Sequence, residues 1–350
     1  MKFLRVVALV VSVVSLVGCA SPGPRLTNST ATHISPEIEP YLLRGIRSFK
    51  SRQYQDAIAN YNKALVIEPN HSVALYELAL TYMTMHRNDE CIATAEGALR
   101  NPGESEFKLL TMLGSCHSQA GNFDSAMAAY ERSLQINPDD SSVHFNMAVS
   151  YAKQNQDDRA VDHLEKSIEI NPKYSSPYLV LGEMHRRNGR DVEAVFMFMQ
   201  FTMLEGNTRR SAIAAKSVFA VPYVGVDFKN NSIMANLDTI GDDSEMGALT
   251  IGLRAIAMKS KSDSHSSAVS RHVAVISDLV ELAGSFGDSD RQFRKRFLWK
   301  YAIKEAARLH ASGDFEAFAY MLAAKAEIEG ADQWLLKNTK QVQRLAGLAE

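Results

Sequence analysis

Apolar and polar positions divide the chain into four stretches. Val6 to Val17 is apolar apart from Ser12 and Ser15, and Lys2 and Arg5 precede it. Residues 20–37, ASPGPRLTNSTATHISPE, carry no apolar period and are rich in Pro, Ser and Thr. From residue 38 to 206 apolar positions recur at helical spacing in short paired runs broken by turn residues such as Gly121-Asn122 and Asn188-Gly189. Beyond 206 the pattern loosens and helical spacing returns at Ala268. One face there holds Val273, Ile276, Leu279, Val280 and Leu282. Asp288 or Ser289 is expected to cap a following helix to about Ser312, with Phe293, Phe297, Leu298, Tyr301, Ala302 and Leu309 on its apolar side. Gly313 would end it, Asp314 would cap a helix over 315–328, and Trp334, Leu335, Leu336 and Val342 belong to a last helical stretch.

The paired runs keep a fixed period. Small residues stand at Gly45, Ala79, Gly114, Ala148 and Gly182, at intervals of 34, 35, 34 and 34. The same intervals link Ala57, Cys91, Ala126, Ala160 and Ala194. Tyr61, Ala95, Tyr130, Leu164 and Phe198 follow four later, and Ala64, Ala98, Ser133, Ser167 and Phe201 three after those. Pro69, Pro102, Pro138 and Pro172 close four units, and Gly206 ends the fifth. This register resembles the tetratricopeptide repeat, a helix-turn-helix unit of 34 residues. Small residues facing each other would let the paired helices approach closely, with the aromatic filling the gap beside them, and proline stops the second helix. The resemblance implies an all-α fold: about five repeats in a right-handed superhelix, followed by a mostly helical C-terminal region. Unit two departs through Cys91, Ala95 and an early Pro102, which predicts looser packing there. In unit one Ser48 replaces a tyrosine, with Phe49 beside it, which predicts a slight helix rotation.

The apolar start is too short to span a bilayer, which takes ~20 residues, and fits a secretory signal. It ends in Leu16-Val17-Gly18-Cys19, which resembles the lipobox of bacterial lipoproteins. That resemblance implies cleavage before Cys19 and lipidation of its thiol, giving a signal peptide over 1–18 and a lipidated tether over 19–37. Extended, the stretch 20–37 would reach ~60 Å. Ala20, in place of an aspartate, points to the outer membrane, facing the periplasm. The organisation read from the chain is then signal peptide, tether, repeat array over 38–206, and an unassigned region over 207–350.

By family position, the concave face of the array would be lined by Tyr76, Leu80 and Met83, then Thr111, Ser115 and Ser118. Phe145, Asn146, Val149 and Lys153 would follow, then Leu179, Glu183, Arg186 and Arg187. Each set repeats at three or four residues and so shares one helical face. The face grades from apolar to basic and suits a peptide with an acidic end. Asn146 resembles the backbone-clamping asparagine of some peptide-binding repeats, but the lysines of a terminal-carboxylate clamp are not reproduced.

Composition removes other classes. The chain has 350 residues with 38 Lys+Arg against 40 Asp+Glu. Loss of 1–18 would leave 36 against 40. Near-neutral charge argues against nucleic acid as a partner. A basic stripe (Arg291, Arg294, Lys295, Arg296, Lys300, Lys304, Arg308) beside Trp299 reads first as the solvated side of a helix, with anionic lipid or an acidic protein as the alternative. Three cysteines make no disulfide framework. With Cys19 lipidated, Cys91 and Cys116 read as two buried thiols, pairing in an oxidising periplasm being the alternative.

No metalloprotease helix, phosphate loop or nucleophile elbow is present. Ser150-Tyr151-Ala152-Lys153 falls inside a repeat helix, and the acidic loop DTIGDDSEMG lacks the ligand order of a calcium site. Residues 217–228, SVFAVPYVGVDF, read as a buried extended segment or an irregular connection. The expectation is a non-catalytic lipoprotein scaffold for another envelope protein, without metal or cofactor. It resembles, in architecture, envelope assembly and adaptor lipoproteins with such repeats. The rival expectation is an enzyme with its site in 207–350, carried by Asp242, Asp243, His265 and His272.

Overall fold

The computed structural model describes residues 35–102, 106–223, 226–227, 232–233, 244–262, 266–289 and 297–347. The signal peptide, Cys19 and most of the tether therefore lie outside the described residues. So do Asp242, Asp243, His265, Arg291, Phe293, Arg294, Lys295 and Arg296. The chain divides into two compact units, Met1–Ile170 and Asn171–Glu350.

Four helix pairs form the first unit. They are α1 (Glu39–Lys50) with α2 (Tyr54–Ile67), α3 (Ser72–Thr84) with α4 (Asn88–Ala98), α5 (Glu106–Ala120) with α6 (Phe123–Ile136), and α7 (Ser141–Lys153) with α8 (Asp157–Ile170). Each helix packs chiefly on its pair partner, and the first helices of successive pairs also touch: α1 meets α3, α3 meets α5, and α5 meets α7. The fifth pair, α9 (Ser175–Arg187) and α10 (Asp191–Glu205), opens the second unit. All twenty positions of the four periodic series are buried.

The tight turns explain the period. Arg52, His86, Gly121, Asn155 and Gly189 all have φ between +56° and +83°. The next amide in each pair reaches back to close the helix: Gln53 to Ser48, Arg87 to Tyr82, Asn122 to His117, Gln156 to Tyr151 and Arg190 to His185, at 2.9–3.0 Å. This left-handed cap satisfies carbonyls that the helix end would leave open. Only two of the five positions are glycine, so the turn is legible from glycine in units three and five alone.

The contact behind the small series differs from the expectation. Glycine on the first helix faces the aromatic itself. A β-carbon on Gly114 would lie 2.6 Å from the Tyr130 ring, and one on Gly182 would lie 3.0 Å from Phe198. Gly45 meets Tyr61 in the same way. Where the first helix carries alanine, the residue sixteen further on is Ala95 or Leu164. Size is therefore matched within each pair.

Unit two of the array is not loosely packed. Cys91, Ala95 and Cys116 are fully buried with Ala79, Met83 and Met112. Cys91 and Cys116 are joined in a disulfide, with Cα atoms 5.8 Å apart. This corrects the expectation of two free thiols. The small site of α4 rests against α5, so two cysteines there meet at bonding range. Phe49 packs in the core clusters with Tyr82, and its ring lies 5.6 Å from Tyr54.

In the second unit, α10 is buried almost all round, from Val192 to Thr202. The covering elements are α11 (Arg209–Ala220), a 3-10 turn (Val221–Tyr223), α12 (Ser244–Ser262) and the Trp299–Ile303 π-turn. An apolar second helix at the end of a repeat array needs such a cover. Residues 217–223 are helix and 3-10 turn, and β1 (Val226–Asp227) pairs antiparallel with β2 (Ser232–Ile233). The packing is pinned by Arg254 on α12, which is ion-paired with Asp191 of α10. The Arg254 guanidinium also donates to the carbonyls of Val221 and Pro222 at 2.8 and 2.9 Å. Both charged side chains are almost fully buried.

Next come α13 (Ala268–Ser289), α14 (Lys304–Ala311, continuing the π-turn), α15 (Phe315–Lys325), α16 (Ala331–Lys337) and α17 (Thr339–Gly347). Asp288 and Ser289 are themselves residues of α13, and the start of the helix expected after them lies outside the described residues. Leu298, Ala302 and Leu309 are buried as expected. The turn at Gly313 (φ 74°) repeats the cap of the array, with Asp314 N–H bonded to Leu309 O at 3.0 Å. Asp314 holds the N-cap position of α15, but its backbone is near-helical and its carboxylate makes no cap bond. It accepts instead from Ser312 Oγ at 2.8 Å and Arg344 Nε at 2.5 Å. Among the described residues no helix is long and apolar enough to cross a membrane.

Candidate binding surface

In the first unit the candidate surface is the line of first helices, α3, α5 and α7. Two of these are locked together by polar groups spaced three or four residues apart. Ser118 Oγ and Ser150 Oγ lie 2.7 Å apart across α5 and α7. Lys153 Nζ donates to Ser118 O at 3.2 Å, and Asn146 Nδ2 to Ser115 Oγ at 3.4 Å. Tyr130 of α6 donates its hydroxyl to Ser115 from behind at 3.2 Å. Serines on the second helices tie the third and fourth pairs at their open ends: Ser133 Oγ donates to Phe107 O at 2.8 Å, and Ser167 Oγ to Ser141 O at 2.7 Å. Satisfied polar contacts of this kind fix side chains before any ligand arrives.

Several expected groove residues do not face outward. Phe145 is 1% exposed, Met83 5% and Leu80 7%, so they are packing residues rather than ligand contacts. Leu80 and Met83 pack in one cluster with Cys91, Ala95, Met112 and Cys116. Tyr76, Thr111, Ser115, Ser118, Asn146 and Val149 are half-buried, and Lys153 is exposed. The surface of α5 and α7 is thus hydroxyl- and amide-rich.

The α9 set belongs to the second unit and is described by itself. Leu179 and Glu183 are half-buried, and Arg186 and Arg187 are exposed. Glu183 takes both arms of Arg186, at 2.5 and 2.9 Å, so that pair brings no net charge. The ion pair holds the Arg186 proton more firmly than usual.

Sequence reasoning passed over a histidine pair. His144 Nδ1 on α7 and His163 Nδ1 on α8 lie 3.0 Å apart. The His163 ring stacks on Tyr151, which meets Phe123 edge-on and carries the Arg159 guanidinium over its face. Burial lowers both histidines, His144 to about 4, with the His163 and Lys166 charges adding to the effect and Asp140 opposing it. Both imidazoles are therefore neutral at pH 7, with one ring donating to the other. A histidine four residues before a small-series position, and another one before an apolar-series position, was the available signal. Glu77 on α3 is 7% exposed, and burial pushes its carboxyl upward, opposed by Lys50. Among the described residues no group of three or more His, Cys, Asp or Glu could hold a metal ion.

Paired antiparallel helices with left-handed caps, size-matched small and large positions and a hydroxyl-rich inner face define a helical repeat scaffold. Residues 48–113 and 118–179 match the model of the tetratricopeptide repeat family. Those residues carry tetratricopeptide repeats, and the helix pairs around them have that repeat's fold. A curated relative, anaphase-promoting complex subunit 3 of Schizosaccharomyces pombe, is 24% identical over 133 residues, 37% of this chain. The match spans only 20% of that relative's length. Among solved structures, the thermophilic repeat protein TTC0263 of Thermus thermophilus aligns with a TM-score of 0.47 at 17% identity. The alignment covers 52% of this chain and 98% of that one. PilF of Pseudomonas aeruginosa aligns with a TM-score of 0.45 at 19% identity, over 54% of this chain and 84% of its own.

Proposed function

We propose that this protein is a non-catalytic scaffold, anchored by a lipidated Cys19 in the outer membrane, that binds another envelope protein through the inner face of its repeats. The observation that carries the reading is the interlocked face of α5 and α7. Ser115, Ser118, Asn146, Ser150 and Lys153 are held in place by one another, so the face is formed in advance, with half-buried Val149 on the same helix. A pre-formed surface avoids most of the ordering cost of binding. Support for the address is the basic start, the short apolar core and Leu16-Val17-Gly18-Cys19. An anchor would raise the effective concentration of the scaffold near membrane-bound partners. Of the residues that would serve an enzyme, His272 is half-buried, hydrogen-bonded to Ala268 O at 2.7 Å and edge-on to Phe219.

The test uses the full chain in its own cell envelope. A photo-crosslinking amino acid at Val149 should trap one discrete partner, and the same group at exposed Val66 on α2 should not. Equal, unspecific crosslinking from both sites would refute the inner-face reading. Separately, Cys19→Ser should abolish palmitate labelling and release the protein from the membrane. Labelling that persists would refute the anchor.

A further inference from the structure

The second unit contains a cavity of about 690 Å³ between the start of α9, the end of α10, the π-turn with α14, and α15. Its size is in the range of small-molecule sites, ~300–1,000 Å³. The walls are largely apolar, with Tyr178, Met203, Tyr301, Leu309, Phe318 and Met321 among them. Tyr178, Leu309 and Phe318 are buried. The polar side is one-sided in charge. Lys173, Lys300, Lys304, Arg308 and Lys325 line it, against the single carboxylate of Glu305, which is paired with Arg308 at 2.6 Å. Lys173, Lys300, Lys304 and Arg308 are exposed, whereas Lys325 is half-buried and donates to Gly206 O at 2.8 Å. Gln200 also lines the cavity, and its side-chain oxygen is buried with no hydrogen-bond partner among the described residues. With the amide turned over, its N–H groups would take that place and suit an anionic oxygen.

A peptide fits this cavity poorly. Each residue brings an N–H and a C=O that need partners. The walls have few to spare: the Thr202 hydroxyl is given to Met199 O at 2.7 Å, and the Gly206 carbonyl is taken by Lys325. An alkyl chain asks for none. We infer that the cavity binds a long-chain carboxylate, its chain against Tyr178, Met203, Phe318 and Met321 and its head among Lys300, Lys304, Arg308 and Lys325. The inference concerns the second unit alone and does not rest on what the repeats of the first unit bind.

The experiment is calorimetric titration of the full chain with dodecanoate below its micelle concentration. Octanoate, dodecyltrimethylammonium, dodecyl maltoside and an oligoglutamate peptide serve as comparison ligands. Dodecanoate should bind saturably at one site per chain. Octanoate should bind at least tenfold more weakly, because each buried CH2 adds to affinity. The cationic and neutral amphiphiles should bind at least tenfold more weakly than dodecanoate. Met321→Trp, which fills the cavity without changing charge, should weaken dodecanoate at least tenfold, as should Lys304→Glu. Lys63→Glu, on an exposed position of α2, should leave it unchanged. Far-UV circular dichroism checks that each variant is folded; Lys304 is exposed, so its variant decides the matter should Met321→Trp unfold. Equal binding of cationic and anionic chains, no effect of Lys304→Glu, or full binding by folded Met321→Trp would overturn the inference. Displacement of dodecanoate by oligoglutamate without chain-length dependence would overturn it in favour of an acidic protein partner.

Discussion

The size matching inside each helix pair can be tested at Gly114 and Tyr130. Gly114→Ala adds one methyl group to an α-helix, which by propensity alone should stabilise by about 1 kcal/mol. The new β-carbon, however, would stand 2.6 Å from Tyr130 Cδ1 and Cε1. Ordinary carbon contacts are ~3.5–4.0 Å, so the ring must retreat by about 1 Å. It has little room. Tyr130 is 1% exposed, packed with Met127, Val143 and Met147, and its hydroxyl is bonded to Ser115. Overpacking costs ~1–3 kcal/mol, and a ring held on every side puts this site in the upper part of that range, ~2–3, so the net expectation is a loss of about 1–2 kcal/mol. In a Tyr130→Leu background, the pair becomes that of Ala148 and Leu164, and Gly114→Ala should then stabilise by about 1 kcal/mol. The coupling energy is therefore about 2 kcal/mol, well above the scatter between independent sites. The assay is urea unfolding followed by far-UV circular dichroism, with peptide-resolved hydrogen exchange over 106–136 to locate the loss. Both tryptophans, Trp299 and Trp334, lie in the second unit, so indole fluorescence does not report on this site. A neutral or stabilising single variant, or additive effects in the cycle, would refute the account.

Other contacts give four more expected outcomes. Arg254→Met leaves Asp191 buried without its cation and should destabilise the second unit by about 3–5 kcal/mol, read as a lower urea midpoint in tryptophan fluorescence. Reducing Cys91–Cys116 opens a loop of 25 residues and should cost up to about 3.5 kcal/mol, seen as a lower midpoint with reductant that Cys91→Ala no longer shows. For Glu77 the folded carboxyl is raised, so its contribution is full below the usual carboxylate range and is lost as pH rises through the folded value; Glu77→Gln should raise stability at pH 7 more than at pH 4. The sign is opposite for His144, lowered to about 4: stability is full above the usual histidine value and falls between pH 6.5 and about 4, and His144→Phe should flatten thermal midpoints over that window.

The repeat is legible because its chemistry is periodic. Close approach of two helices needs something small at a fixed place, and five copies at 34 or 35 residues leave no other register. What the period does not carry is the partner of each small residue. Spacing sets the glycines against alanines, whereas Gly45, Gly114 and Gly182 meet Tyr61, Tyr130 and Phe198. The signal is a correlation of glycine with an aromatic sixteen residues on, and of Ala79 and Ala148 with Ala95 and Leu164. Cys91 passes for an alanine substitute because its position is small. Its bond to Cys116 depends on which face of α5 meets α4, a fact of packing between units rather than of spacing within one. The inner-face residues meet the same limit. Phe145 and Asn146 are adjacent in a helix, and family position assigns both to the groove; the structure buries one between helices and ties the other to Ser115.

The C-terminal region is hardest to read, and the reason bears on what the second unit is for. It has no period because its task is to cover α10, whose residues from Val192 to Phe201 are apolar on every face except Glu193 and Gln200. A cover needs only apolar area and a few pins, and many helix arrangements supply that, so no motif is required. The pins are individually invisible: Arg254 lies in an otherwise unremarked helix 63 residues from Asp191. The basic stripe reads as a solvated helix side because helical spacing cannot see across to other elements. Three of its members, Lys300, Lys304 and Arg308, are exposed as that reading has it and also line a cavity with Lys173 and Lys325, which lie on different elements. The covering helices thus do more than close the array. They leave Tyr178, Met203 and Phe318 lining a space edged by cations, which the α9–α10 pair could not enclose from its own residues.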